Sequence, residues 1–407
     1  MWQSMRPWVD WAMTNLTPAS RTRPSGQAVH LRYEAAGLSL AESPVPWNAD
    51  ALVVEVLVRL PPLARHKGDF SLRVPGREAV VPESLRRDDA DDARYRLTFR
   101  LAVPPGSGFA ELLWKQKLLA TVPIPVLSPA EFLANLTLHT PTLAVRVGGQ
   151  SVAAQSFVAA QCRGLTAAAV LRSPTALVPL AEAGLRVVFR SDRTAAEYEV
   201  PVPLTGAQLA QREVLFTASP PKAPRQAGGY SATFLAGPRE LGVLRATAVT
   251  GTRFTQSLRV SDMRFVVAEK AGLPRVARHA PLGAERLGPC FVVQSREPGM
   301  AALVTLRVLA VRPGREPSAV LEQQLLVTDG PTLFAPGLLD AADLAGVTAF
   351  ELRQGRRVLA MLSVNPAPAA LFDAEGGYKP PPDFTWTPTA EEELSERLLK
   401  LMGDGPK

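Results

Sequence analysis

The sequence predicts an all-β protein with about three β-sandwich domains in tandem, and three observations support this fold class. The chain has 38 prolines in 407 residues and is 46% hydrophobic. Proline is disfavoured in helix interiors but tolerated at strand edges and corners, so this composition favours sandwiches over helical bundles. Apolar and polar residues alternate in many short segments, and a strand–turn–strand pattern recurs about every 120 residues, a typical sandwich-domain length.

The strand–turn–strand pattern occurs three times along the chain. The three copies begin at Gly108, Gly229 and Gly346. A proline-containing connection precedes each copy, and each copy is followed by a phenylalanine, namely Phe132, Phe254 and Phe372. A spacing of this size predicts repeated domains rather than the short units of a solenoid.

An alternating or wholly apolar segment lies upstream of each predicted hairpin. These segments are residues 52–58, 185–189 and 303–309. In the second of them Arg186 is followed by Val187, an alternation that places arginine on the solvent face of a strand and valine in the core. Each block is therefore predicted to contain strands that pair within their own sandwich.

In architecture the repeat resembles a tandem immunoglobulin-like or fibronectin-III-like array. The resemblance implies sandwich domains at residues 28–132, 133–255 and 256–374, each with its own sheets and joined by exposed linkers. The Cys…Trp…Cys signature of immunoglobulin domains is absent. The resemblance therefore transfers no binding residue to this chain.

The leader, residues 1–27, lies outside the repeat and contains Trp2, Trp8 and Trp11. With neighbouring apolar residues these tryptophans form a stripe at helical spacing, which predicts a short helix. Exposed apolar patches of this kind mark interfaces. The three tryptophans are predicted to bind protein, either the chain's own domains or a partner.

The tail, residues 375–407, also lies outside the repeat. Its first part is proline-stiffened and aromatic, and a capping box at Thr389 and Glu392 predicts a short helix after it. The predicted protein-binding residues of the tail are Tyr378, Phe384, Trp386, Leu394, Leu398 and Leu401. The sequence favours a partner protein over docking in cis, because the tail lies beyond the last repeat and carries its own acidic charge.

The formal net charge of +7 raises the question of nucleic-acid binding. Most of the positive charge is arginine interleaved with acids, as in residues 86–89, and no stripe of basic and aromatic residues is present. Arg, Ala, Pro, Gly and Leu share GC-rich codons, so the arginine content reflects a GC-rich, bacterial genome. Protein is therefore the predicted partner, and nucleic acid is the less favoured one.

The residue types that carry catalysis are sparse and scattered. The four histidines are His30, His66, His139 and His279, and no two have metal-ligand spacing. Neither a GxSxG elbow nor a phosphate-binding loop occurs. The acidic run at residues 88–92 lacks the EF-hand pattern, which favours a solvated loop over a calcium site. The sequence predicts no catalytic residue, no metal and no cofactor.

The two cysteines, Cys162 and Cys290, have no CxxC neighbours and are predicted to be buried, reduced thiols. They favour a cytoplasmic location, and no apolar run is long enough to predict a membrane span.

The predicted function is a non-catalytic adaptor or scaffold subunit of a bacterial multiprotein assembly. It would bind through sandwich surfaces and through its terminal segments. Two alternatives remain open: a basic accessory protein that binds nucleic acid or an envelope surface, and a divergent hydrolase with a spatially assembled site.

Overall fold

The computed structural model describes residues 25–35, 37–60, 66–88, 91–194, 197–268, 274–278, 285–340 and 343–364. Within these residues the chain is all-β, with four short α-helices and two 3-10 turns besides its strands. The predicted fold class is confirmed. The predicted leader helix and the tail fall outside the described residues. No helix in the described part of the chain is long and apolar enough to cross a membrane.

The first block is a two-layer sandwich. Its strands are β1 Ser25–Ala35, β2 Leu38–Leu40, β3 Val45–Pro46, β4 Ala51–Arg59, β5 Phe70–Arg73, β6 Ser84–Asp88, β7 Asp91–Leu101, β8 Gly108–Trp114, β9 Lys117–Ile124 and β10 Val126–Leu127. One sheet has the order β2-β1-β4-β7-β6 and the other β5-β8-β9, while β3 pairs in parallel with β10. Alternating residues of β4 and β7 are buried between the sheets, as period-2 patterning requires.

The second block repeats this arrangement. Its elements are α1 Pro129–Asn135, β11 Thr137–Val147, β12 Gln150–Ala153, β13 Ser156–Val158, β14 Gly164–Arg172, α2 Leu180–Ala183, β15 Leu185–Ser191, β16 Glu197–Pro201, α3 Gly206–Leu209, β17 Glu213–Ala218, β18 Gly228–Ala236 and β19 Arg239–Val249. One sheet has the order β12-β11-β14-β17, and the facing strands follow the order β16-β15-β18-β19-β13. Strand β13 runs parallel to β19, as β3 does to β10.

The third block is built on the same plan. Its elements are α4 Gly251–Ser257, β20 Leu258–Ala268, β21 Arg275–Ala277, β22 Arg286–Ser295, β23 Met300–Val311, β24 Ser318–Val327, β25 Thr332–Phe334, β26 Leu339–Asp340, β27 Ala349–Gln354 and β28 Arg357–Ser363. One sheet has the order β21-β20-β22-β25, with β26 also paired to β22. The facing strands β23, β24, β27 and β28 pair antiparallel.

The three predicted hairpins are present as β8–β9, β18–β19 and β27–β28. Each hairpin turns through two residues. The first of these residues has positive φ, which suits the right-handed twist of the paired strands. In the first hairpin Lys115 and Gln116 adopt positive φ, 47° and 66°, without a glycine. The later turns use Gly237 and Gly355, with φ of 54° and 59°.

The phenylalanines that follow the first two hairpins lie in short helices at the block junctions. Phe132 in α1 and Phe254 in α4 are 1% and 2% exposed. Ser128 and Thr250 cap these helices by accepting hydrogen bonds from the backbone N–H groups of Glu131 and Arg253. Each helix thus begins at a side-chain cap and anchors its block through one buried ring. Phe372, after the third hairpin, lies outside the described residues.

The second and third blocks share one nine-stranded sheet, whereas the sequence predicts separate sheets for each block. Strand β13 lies between β19 and β23 and pairs in parallel with both. A strand of three residues forms few hydrogen bonds on its own. Between two other strands, its backbone N–H and C=O groups find partners on both sides. The expectation of separate sheets is wrong at this junction, while the exact domain boundaries stay a prediction.

The first and second blocks join through side chains and a loop. Ala176 and Val178 from the second block are buried in the core of the first. Trp47 packs on the cores of both blocks, and its Nε1 donates to Glu182 across 3.1 Å.

Candidate functional site

The predicted protein-binding residues all lie outside the described residues. In the leader they are Trp2, Trp8 and Trp11, and in the tail Tyr378, Phe384, Trp386, Leu394, Leu398 and Leu401. Their roles stay predictions.

Both cysteines are free and buried, as predicted. Burial raises the pKa of the Cys290 thiol to about 12, and the nearby Asp262 carboxylate adds to that effect. Burial also raises the pKa of Cys162, whose Sγ donates to the Gly164 carbonyl across 3.3 Å. Thiols in such surroundings are poor nucleophiles.

The predicted scatter of histidines agrees with the positions that the structure describes. His30 lies in β1, His66 precedes β5, and His139 lies in β11, where its ring bonds the Thr137 hydroxyl. Residue 279 is outside the described part. In that described part no group of three histidine, cysteine or acidic side chains is placed to hold a metal ion.

The acidic run at residues 88–92 spans the connection between β6 and β7. Asp88 and Asp91 are register partners across these strands, while residues 89 and 90 lie outside the described ones.

A cleft of about 640 Å³ opens at one end of the second sandwich, a volume typical of ligand sites. Three connections meet there: the start of β14, the segment after β15, and the loop at residues 219–227. Its lining residues are Arg163, Leu165, Phe189, Arg190, Ser191, Thr194, Tyr198, Pro220, Pro221, Lys222, Ala223, Pro224, Arg225, Gln226 and Tyr230. We call it the basic cleft.

The inner wall of the basic cleft is apolar and aromatic. Leu165 and Phe189 are buried at its base, and Tyr198 and Tyr230 are half-buried on β16 and β18, the two strands that flank β15. The Tyr230 hydroxyl donates to the Gln226 carbonyl across 3.0 Å. This bond fastens the outer loop to the sheet and fixes the orientation of the ring.

The outer wall is a loop stiffened by proline. Pro220, Pro221 and Pro224 have fixed φ angles, and the last of them is buried. Between and beside them Lys222 and Arg225 are exposed. Because the loop has little conformational freedom to lose, the two cations are held near the cleft before any ligand arrives.

Gly228 and Gly229 begin β18, directly after the proline loop. A Cβ on Gly229 would lie 2.0 Å from Oδ2 of Asp192, and one on Gly228 would lie 2.6 Å from Cγ of Arg193. The glycines leave room for the segment after β15 to pack against the sheet.

The charged residues that line the basic cleft are all positive. Four of its described lining residues are cations, and none is an acid. Arg190 is paired with Glu197, whose hydrogen bond raises the pKa of the guanidinium, while the same bond lowers the pKa of the carboxyl. The structure shows no acidic partner for the exposed side chains of Arg163, Lys222 and Arg225 within its described residues. Three cations therefore face the cleft without compensation there.

Two arginines on the strands around the cleft are paired with glutamates. Arg172 pairs with Glu213 across β14 and β17, and Arg186 pairs with Glu199 across β15 and β16. Such cross-strand pairs neutralise the solvent face locally. Arg146 on β11 and Arg245 on β19 are exposed and form no ion pair within the described residues, so positive charge is present on these strands as well as at the cleft.

Comparison with known proteins adds no argument about function. No protein-family model and no curated protein matches the chain. Among solved structures, the C-terminal globular domain of an oligosaccharyltransferase from Pyrococcus abyssi covers 83% of this chain and 78% of that chain, with 9% identity and a TM-score of 0.14. The match to immunoglobulin domains 1–5 of Sidekick-1 covers 84% of this chain and 94% of that chain, with 10% identity and a TM-score of 0.13. Scores this low carry no argument about this chain.

Proposed function

We propose that this protein is a non-catalytic, protein-binding scaffold subunit of a multiprotein assembly, and that the basic cleft is one of its binding sites. The observation that carries the proposal is a fixed concave site with an apolar wall and three uncompensated cations. Concave sites of this size with few polar groups are typical of ligand recognition.

The way the blocks are joined supports a scaffold role. The Gln161 side chain bonds both backbone groups of Leu303, with 2.8 Å for each bond, so the second and third blocks are tied beside β13. Glu42 of the first block accepts hydrogen bonds from the backbone N–H of Ala176 and from Arg212. Contacts of this kind hold binding surfaces on neighbouring blocks at fixed positions, which is what a scaffold requires.

The distribution of charge favours a protein partner over nucleic acid. A polyanion that tracks a surface needs an extended basic groove, often with aromatic platforms along it. The cations of the basic cleft instead surround a compact concave site with an apolar wall. Nucleic acid remains the runner-up, because clustered cations attract phosphate as well.

Cross-linking of the full-length protein tests the proposal. An amine-reactive cross-linker should join Lys222 to a stoichiometric partner protein, in samples treated with nuclease. Lys67 and Lys117 of the first block serve as exposed reference amines. The Lys222→Arg variant keeps the charge but removes the amine, so it should lose this cross-link and still co-purify the partner.

Two outcomes would contradict the proposal. Association that disappears after nuclease treatment would assign the surface to nucleic acid. Turnover of a substrate by the purified chain would show that the protein is an enzyme.

A further inference from the structure

We infer that the ligand of the basic cleft is an acidic peptide segment that carries aromatic or aliphatic side chains next to its carboxylates. The inference rests on the proposed function and adds the chemical class of the ligand. It follows from the presence of both exposed cations and an apolar wall within one cleft.

The cations select for carboxylates. Arg163 lies immediately before β14, and Lys222 and Arg225 lie three positions apart on the proline loop, so positive charge borders the cleft from two segments. A segment with several acidic residues would place a carboxylate near each cation and form charge-assisted hydrogen bonds. No acid of the described lining competes for these cations.

The apolar wall selects for side chains that a free anion lacks. Tyr198, Tyr230 and Ala223 are half-buried and face the same cleft. The Tyr230 ring is held at 6.0 Å from the ring of Phe157, so it is a fixed surface against which an aromatic or aliphatic group can pack. Inorganic phosphate would leave this wall exposed to water, whereas a peptide would cover it.

Fluorescence anisotropy with the full-length protein tests the inference. The probes are a labelled peptide of glutamate, tyrosine and leucine, the same peptide with glutamine in place of every glutamate, and an oligo-dT strand. The triple variant Arg163→Gln, Lys222→Gln, Arg225→Gln removes the cleft cations. A charge-matched control, Lys117→Gln, Arg296→Gln, Arg315→Gln, removes three exposed cations elsewhere.

The wild type should bind the glutamate peptide, and the cleft variant should bind it about tenfold more weakly or worse, as expected for lost charge pairs. The control variant should match the wild type, and the glutamine peptide should bind weakly to all three proteins. All substituted residues are exposed, and an unchanged melting temperature verifies the fold of each variant.

Three results would overturn the inference. They are equal binding of the glutamate peptide by the cleft variant, equal binding of the two peptides, and binding of oligo-dT at least as tight as that of the glutamate peptide. None of these results refutes the proposed scaffold function. That proposal would fail if the wild-type protein formed no cross-link from Lys222 to a partner protein.

Discussion

The two junctions between blocks are built from different interactions. Between the first and second blocks the contacts are made by side chains, among them Trp47 with Glu182 and Glu42 with Arg212. Between the second and third blocks β13 continues one sheet into the next through backbone hydrogen bonds, and the Gln161 side chain adds two bonds to Leu303. The chain has equivalent short strands in both places. Within the described residues β3 pairs with β10 alone, whereas β13 pairs with two strands.

The comparison shows that a repeated sequence does not dictate a repeated junction. Side-chain contacts depend on particular residues and can be removed one at a time. A shared ladder depends on strand spacing and on backbone groups that every residue supplies. We therefore expect substitutions at β13 to affect the second and third blocks together, and substitutions at Trp47 to affect the first junction without reaching the third block.

The largest effect is expected for Phe157→Ala in β13. Phe157 is 0% exposed, and removal of a buried ring should lower the free energy of unfolding by about 3–5 kcal/mol. Urea unfolding measures the loss, and hydrogen exchange should show reduced protection in both β19 and β23. Phe109→Ala, at a site 46% exposed, is the control and should change little. Unchanged protection in β23 would show that the blocks are not coupled through β13.

The next effect concerns Gly299, which precedes β23. Its φ is 57°, and an added Cβ would lie 2.6 Å from Cβ of Gln155, so Gly299→Ala combines backbone strain with a clash at the shared junction. Gly314 has a φ of 68° with nothing within 4 Å of an added Cβ, so Gly314→Ala reports the strain alone. We expect about 1 kcal/mol for Gly314→Ala and about 1–3 kcal/mol more for Gly299→Ala. Equal melting temperatures for the two variants would refute the close packing of the junction.

A smaller, local effect is expected for Trp47→Phe. The substitution removes the hydrogen bond from Nε1 to Glu182 and should cost about 1 kcal/mol. Trp114 is a matched control, because its Nε1 is buried without a hydrogen-bond partner among the described residues. Trp114→Phe should therefore be neutral or slightly stabilising. Hydrogen exchange in β23 should not respond to Trp47→Phe, and a response there would mean that the two junctions are coupled.

The smallest effect is a pH dependence in the third block. The Cys290 thiol has a folded pKa of about 12 against an ordinary value of 9.0, so above pH 9.0 the unfolded chain loses this proton while the folded chain keeps it. The free energy of unfolding therefore falls as the pH rises above 9.0, by less than about 1 kcal/mol over the first half pH unit. Unfolding of the wild type and of Cys290→Ala should diverge above pH 9.0, and parallel curves would contradict the burial of the thiol.

Sequence patterns predict much of this fold because local chemistry determines it. The alternation of apolar and polar residues predicts long strands such as β15 and β23, and the turn residues predict the three hairpins. The nine-stranded sheet was missed because Ser156–Val158 is too short to show a period, and its parallel partners are remote in sequence. A short apolar run after the β11–β12 hairpin was the available signal.

The basic cleft was harder to predict than the sheets. Its cations come from segments far apart in sequence, and each has unremarkable neighbours on its own. In the sequence Pro220 and Pro221 are part of the proline-containing connection before a hairpin, and no pattern relates them to Gly228 and Gly229. Their joint meaning depends on the space that Asp192 occupies, which only the packed sandwich shows.

The position of β13 has a consequence for dividing the chain. Cleavage at α4 would leave one fragment with the open edge of β13 and the other with the open start of β23. Unpaired edges of this kind seek new partners and promote aggregation. They are also complementary, since the N–H groups of Gln155 and Ser156 donate to the Gly299 carbonyl across 2.8 and 2.9 Å. Two such fragments, produced together, are the natural halves of a split-protein pair that reassembles by strand addition.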